Sequence, residues 1–222
     1  MQRNRPGTAE KHSVLLVADS HIRGVAERLA IKLRSSFRTI GYIKPNANLN
    51  KITSSMKSEI RNLRKSDVAV LCGCTLDVAR NNTKRGLYSI LQFVKNSEYT
   101  NVIIMDAPHT FDMGASSCVN NEVNAFNRKL NKIIRPYDHT SQLNLNMQRE
   151  HFTKHGMHMN GNTKDRISGL LTSRIMELFT THRHGTSTAL PWKDETVEEE
   201  EKQMRPVVEK FKFTSPDLQI TD

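Results

Sequence analysis

Ser13-Val14-Leu15-Leu16-Val17-Ala18-Asp19-Ser20-His21 is the stretch whose reading decides the fold. Residues 13–18 form a short, unbroken apolar run, the pattern of a strand buried on both faces rather than one with a wet side. Directly after it, residues 23–37 carry Val25, Ala26, Leu29, Ala30 and Leu33 at helical spacing, with Lys and Arg between them. A strand that feeds straight into an amphipathic helix predicts a β/α unit. Asp19 and Ser20 then sit on the turn between the two.

Moving outward, the same alternation repeats. Strands are expected at 38–43, 67–72 and 101–105, with a short fifth at 139–145. Helices are expected at 49–63, 84–94, 120–134 and 163–179, each with its apolar residues on one face. This order predicts an α/β, flavodoxin-like three-layer α/β/α domain with about five parallel strands. Crossovers in such a sheet are right-handed, and its ligands bind outside the carboxyl ends of the strands. The residues that follow each strand are therefore the functional suspects.

Around this core, residues 1–11 read as a disordered basic lead-in, 12–180 as the domain and 181–222 as a flexible acidic tail. The tail has proline at 191, 206 and 216, the run Glu198 to Glu201, and the chain's one tryptophan, Trp192. A short helix is read within it at 198–212. From residue 181 on, six Lys or Arg face nine Asp or Glu, a net of −3, so with a formal charge of +10 overall the first 180 residues carry +13. Such a field attracts polyanions. Arg23, Arg28, Lys32, Arg34 and Arg38 cluster around the first helix, and Arg61, Arg64 and Lys65 close the second, which leaves nucleic acid as a partner through the basic surface. With four Tyr and one Trp, stacking platforms for single strands are scarce.

No apolar run reaches the ~20 residues of a membrane span, so no membrane partner is expected. The first dozen residues lack the apolar stretch of a secretory signal, which predicts an intracellular address, cytoplasmic or nuclear. The three cysteines, Cys72, Cys74 and Cys118, do not make a disulfide framework. Cys72 and Cys74 are expected on one face of a strand as buried free thiols. His151, His155 and His158 are spaced for a helix yet fall in a glycine-containing loop, so no metal site is read there, and no cofactor is implied.

Ser20 invites two readings. Its hydroxyl on a strand-to-helix turn is where acyl-transfer enzymes place a nucleophile, because the N–H there can bind an oxyanion. Alternatively, Asp19 or Ser20 simply caps the helix. His158 has a matching pair: a loop histidine able to reach a nucleophile, or a surface histidine.

Four blocks in order carry a family resemblance. Val14 to His21 resembles the strand and G-D-S block of the SGNH/GDSL hydrolases, and Lys44-Pro45-Asn46-Ala47 their glycine block. Val70 to Val78 resembles their G-x-N-D block. His155-Gly156-Met157-His158-Met159-Asn160 is similar to their closing D-G-x-H-x-N block. The wording is closest to divergent invertebrate, mobile-element-linked (retrotransposon-related) members. The resemblance implies an SGNH hydrolase-like domain in which Ser20 attacks an ester or acetyl carbonyl and His158 takes its proton. The residue three before that histidine orients the ring. The serine N–H, the block glycine and the block asparagine form the oxyanion hole.

Four positions depart from the pattern. Ala18 precedes Asp-Ser in place of glycine, Asn46 stands at the oxyanion glycine, Leu76 at the oxyanion asparagine, and His155 at the orienting aspartate. A lost oxyanion donor costs about 100- to 1,000-fold in rate, and loss of the triad acid's charge on the order of ten-thousandfold. Asn46 keeps its backbone N–H, but in a conformation glycine adopts more easily. Asp77 and Asp106, each after a strand, are the candidates for a replacement acid. Two functions stay open: a serine esterase or deacetylase acting on a small acyl-ester or acetylated substrate with weakened chemistry, or a non-catalytic pseudoenzyme binding a small ligand or nucleic acid on the same fold.

Overall fold

The computed structural model describes residues 11–114 and 116–183. The lead-in before residue 11 and the chain beyond 183, with the acidic run, Trp192 and the helix read at 198–212, lie outside the described residues.

Five strands form one sheet: β1 (His12–Ala18), β2 (Phe37–Ile43), β3 (Val68–Cys72), β4 (Asn101–Met105) and β5 (Thr140–Leu143). Their order is β2-β1-β3-β4-β5, and every neighbouring pair is parallel. The helices are α1 (Val25–Leu33), α2 (Leu49–Ser54), α3 (Lys57–Arg61), α4 (Thr75–Ala79), α5 (Thr83–Lys95), α6 (Cys118–Ile134) and α7 (Gly161–Arg183). Three layers result, as the alternation predicts. On one face Leu15, Val17, Ala69 and Leu71 pack with Ile52, Ile90, Phe126 and Leu130. On the other, Val14, Leu16, Val68 and Val70 pack with Leu29, Ile167, Leu171 and Ile175. Alternate residues of β1 and β3 thus feed opposite cores, which is why both strands are apolar throughout. Each buried aliphatic side chain contributes roughly 1.5–3 kcal/mol by leaving water.

Several boundaries differ from the sequence reading, each for a local reason. The helix expected over 23–37 ends at Leu33. Arg34 turns to φ +57°, a short 3-10 turn covers Arg34–Ser36, and Phe37 opens β2. The helix expected over 49–63 is two helices, because Thr53 donates its hydroxyl to the Leu49 carbonyl and Ser55 to that of Ile52. Such hydroxyls compete with the helical ladder and break it at Ser55-Met56. The buried Met56 and Ile60 keep one apolar face across the break. The last helix begins at Gly161 and continues to Arg183, past the expected end of the domain at 180.

The two neighbouring cysteines also part company. Cys72 ends β3 and packs on the α1–α7 side, whereas Cys74 lies beyond the strand and packs among Leu49, Ile52 and Val78. A left-handed backbone at Cys74 (φ +95°) swings it to the other face, so the strand-face expectation fails. Both are free and buried, and Cys118 is free and exposed. No helix among the described residues is long and apolar enough to cross a membrane.

Candidate active site

The carboxyl ends of β2, β1 and β3 lie side by side. The Lys44 N–H donates to the Ala18 carbonyl (2.8 Å) and the Asp19 N–H to that of Cys72 (3.3 Å). These bonds hold the three turns that carry Asn46, Ser20 and Leu76 on one edge.

After β1 the chain makes a 3-10 turn over Ser20–Ile22, capped by Asp19, whose carboxylate accepts the His21 N–H at 2.9 Å. Asp19 rather than Ser20 is the cap, which leaves the serine hydroxyl without a hydrogen-bond partner among the described residues. Ser20 is half-buried and opens the turn, where an N–H has no partner within the helix. The same Asp19 oxygen lies 3.1 Å from His21 Nδ1. Side-chain exposure is 15 % for His21 and 7 % for Asp19, so the pair is largely withdrawn from water. Burial pulls the His21 pKa down. The Asp19 hydrogen bond and charge, with the Met157 backbone, outweigh it against the opposing charge of Lys164, and the net shift is upward from the ordinary 6.5.

After β2, Asn46 adopts φ +52°. That is the left-handed shape which favours glycine and which asparagine tolerates better than most residues. After β3, Cys74 does the same at φ +95°, ahead of α4. With Leu76 at the block asparagine, Cys74 falls at the block glycine, so both positions keep a glycine-like backbone without glycine. Burial pushes both the Cys72 and Cys74 thiols well up, which holds them protonated and unsuited to nucleophilic attack. Leu76 is half-buried.

The closing block is a tight loop across an antiparallel bridge between Phe152 and Met159. The Thr153 N–H donates to the His158 carbonyl (2.7 Å) and the Gly156 N–H to that of Thr153 (2.8 Å). Gly156 has φ +74°, and a Cβ there would overlap the backbone of Phe111 and Asp112, whose chain it meets through the Phe111 N–H (3.0 Å). Asn160 closes the loop: its Oδ1 accepts the Thr163 N–H at the start of α7, and its Nδ2 donates to the Glu150 carbonyl.

His158 is exposed, and its ring lies 5.8 Å, centroid to centroid, from that of His21, tilted by 45°. The structure thus brings the His158 loop to the Ser20 turn. His155 is also exposed and makes no hydrogen bond with His158 among the described residues. Asp77 accepts the Leu49 N–H (2.8 Å), and burial raises its pKa. Asp106 accepts from the Gln142 side chain and is raised by burial too. Neither bonds a histidine; the carboxylate–histidine pair at this edge is Asp19–His21. Sequence reading took Asp19 as the residue before the nucleophile or as a cap, and passed over His21, although the i, i+2 spacing on a strand-to-helix turn was legible. His151 is used structurally, accepting the Gln148 N–H on Nδ1. Among the described residues no three His, Cys, Asp or Glu side chains gather as metal ligands.

Comparisons with solved structures agree with this architecture. A GDSL-like lipase from Bacteroides thetaiotaomicron superposes with a TM-score of 0.61 at 14 % identity, over 74 % of this chain and 88 % of that one. Axe2, an acetylxylan esterase from Geobacillus stearothermophilus, gives 0.63 at 9 % identity, over 74 % and 94 %. A carbohydrate esterase family 3 protein from Talaromyces cellulolyticus gives 0.59 at 14 %, over 77 % and 99 %. No family model matches the chain, and no curated protein matches its sequence. The fold is that of the GDSL-type lipases and esterases.

Proposed function

We propose that the protein is a serine hydrolase of small acyl or acetyl esters, with Ser20 as nucleophile and His158 as base, running on a weakened oxyanion hole. The observation that carries this reading is the meeting of the two loops. A serine whose hydroxyl has no partner among the described residues, on the turn after β1, shares an edge with a histidine whose ring lies 5.8 Å from the neighbouring His21 ring. The esterase and lipase names of the structural neighbours supply the substrate class.

In this scheme Ser20 Oγ attacks the ester carbonyl carbon while His158 takes the hydroxyl proton. The oxyanion is met by the N–H groups of Ser20 and Asn46. Collapse breaks the ester C–O bond, and His158 returns the proton to the departing alcohol. Water then attacks the acyl-Ser20 ester with His158 again as base, releasing the acid and free Ser20. Leu76 offers no donor, which leaves the oxyanion short of one hydrogen bond and the reaction about 100- to 1,000-fold slower than a full hole allows. Asp19 and His21 lie beside this chemistry, whereas Asp77 and Asp106 are occupied with Leu49 and Gln142.

A fluorophosphonate probe tests the proposal. The folded wild-type protein should become labelled on Ser20, Ser20→Ala should lose all labelling without loss of melting temperature, and His158→Ala should lose nearly all. An unlabelled wild type would favour the non-catalytic ligand-binding reading on the same fold.

A further inference from the structure

Two hollows outside the candidate active site join into one groove. The first, of about 300 Å³, lies between the α2–α3 pair and α5. The second, of about 290 Å³, continues it past the end of α5. Ile60, Arg61 and Asn96 line both, so the groove runs from Asn50 in α2 to Thr100, directly before β4. Its floor belongs to the core, where Ile60 and Phe93 are buried with Ile52 and Ile90. Neither Ser20, Asn46 or Leu76 nor any residue of the His158 loop lines it.

The rim is what the fold leaves unused. Tyr88 stands on it at 62 % exposure and Tyr99 at 75 %. The other two tyrosines of the chain, Tyr42 and Tyr137, pack against the core. Tyrosine is scarce in this chain, yet both exposed rings are gathered on one groove. Lys57, Arg61 and Lys95 share the rim with them. Lys57 and Arg61 are four residues apart on α3 and so lie on one face. None of the three cations has an ion-pair or hydrogen-bond partner among the described residues, and Glu98 is the one carboxylate on the lining. In the basic cluster around α1, by contrast, Arg28 is committed to Asp165 and to the Gly24 carbonyl.

We propose that the α3–α5 groove binds single-stranded nucleic acid, with Tyr88 and Tyr99 stacking on unpaired bases and Lys57, Arg61 and Lys95 meeting the backbone phosphates. Each half of the observation narrows the ligand. Unpartnered cations along a groove attract any polyanion. A carboxylate-rich peptide, however, has no flat ring to lay on an exposed tyrosine. A duplex carries the phosphates but keeps its base faces stacked on one another. A single strand offers phosphates and open base faces together, and stacking on an aromatic ring accepts any base. The groove shares no residue with the proposed hydrolase chemistry, so the inference does not rest on that reading.

Fluorescence anisotropy with a labelled single-stranded oligonucleotide of mixed sequence tests the proposal on the full chain, with the matched duplex and polyglutamate as competitors. The wild type should bind the single strand more tightly than the duplex, and polyglutamate should displace it poorly. Tyr88→Ala and Tyr99→Ala should each weaken binding about 5- to 150-fold at fixed salt, without changing the slope of log affinity against log salt. Arg61→Gln should lower that slope by about 0.7, the share of one phosphate on a single strand. All three side chains are exposed, so melting temperature and Ser20 labelling should stay at the wild-type level. A wild type that binds no oligonucleotide at low salt overturns the proposal. So does binding that both tyrosine variants leave unchanged, which would be the attraction of a basic chain for any polyanion. A duplex or polyglutamate held as tightly as the single strand overturns it as well.

Discussion

The turn after β1 and the loop before α7 meet at the same edge but are built differently. The turn lies against the sheet: Ala18 and Asp19 bond to the ends of β2 and β3, Asp19 caps it, and Ile22 is fully buried beneath. The loop stands out from the sheet. His155 and His158 are exposed, and what is buried is its frame, Phe152, Gly156 and Met159. The contrast teaches where precision comes from. The proposed nucleophile sits on a turn anchored in the core, whereas the proposed base sits on an exposed loop and depends on whatever fixes that loop's backbone.

The largest expected effect follows from that dependence. Gly156→Ala forces a side chain into φ +74° and against the Phe111 and Asp112 backbone, which cannot move aside as a flexible side chain could. Strain of this kind costs about 1–3 kcal/mol at one position, and here overlap adds to it. The expected outcome is a lower melting temperature together with loss of Ser20 labelling, read by thermal denaturation and by probe. A variant that melts like the wild type would show the loop to be less constrained than the turn by sequence rather than by packing, and would break the comparison at its weaker side.

Leu76→Asn is expected to come next, and to act on the other region. It returns a donor amide to the edge beside Ser20, at a half-buried site after the glycine-like turn of Cys74. The expected result is a rise in labelling or esterase rate approaching 100-fold, within the range that one oxyanion donor is worth. No rise would mean that the rate is limited by the loop and its base rather than by the oxyanion hole, which sharpens the contrast instead of erasing it.

How far the sequence spoke depended on the kind of interaction. The strands were legible because residues 14–18, 68–72 and 102–105 are buried on both faces and so leave an unbroken apolar run, and the parallel order followed from the alternation. The break at Ser55-Met56 was not legible, since hydroxyl-to-carbonyl bonds leave the apolar spacing of Ile52, Met56 and Ile60 intact. The five residues of α4 are too few to show a helical period. At the site, residue types marked Ser20 and His158, but a departure from a motif says nothing about backbone shape. Only φ at Asn46 and Cys74 shows that the turn survives the loss of glycine. His21 was missed although its carboxylate partner is two residues away, because the His158 ring beside it lies far along the chain.

The smallest expected effect separates the two histidines of the loop from each other. Motif position makes His155 the orienting partner of His158, whereas contact makes His21 the ring beside it. An exposed imidazole with no hydrogen bond to His158 has no fixed direction to offer, and water screens whatever field it has. His155→Ala should therefore change Ser20 labelling by no more than about 2-fold, the scale of an exposed substitution away from any named contact, within ~0.5 kcal/mol. A loss as deep as that of His158→Ala would give the orienting role back to position 155, and would mean that the loop closes on substrate into an arrangement different from the one it holds when free.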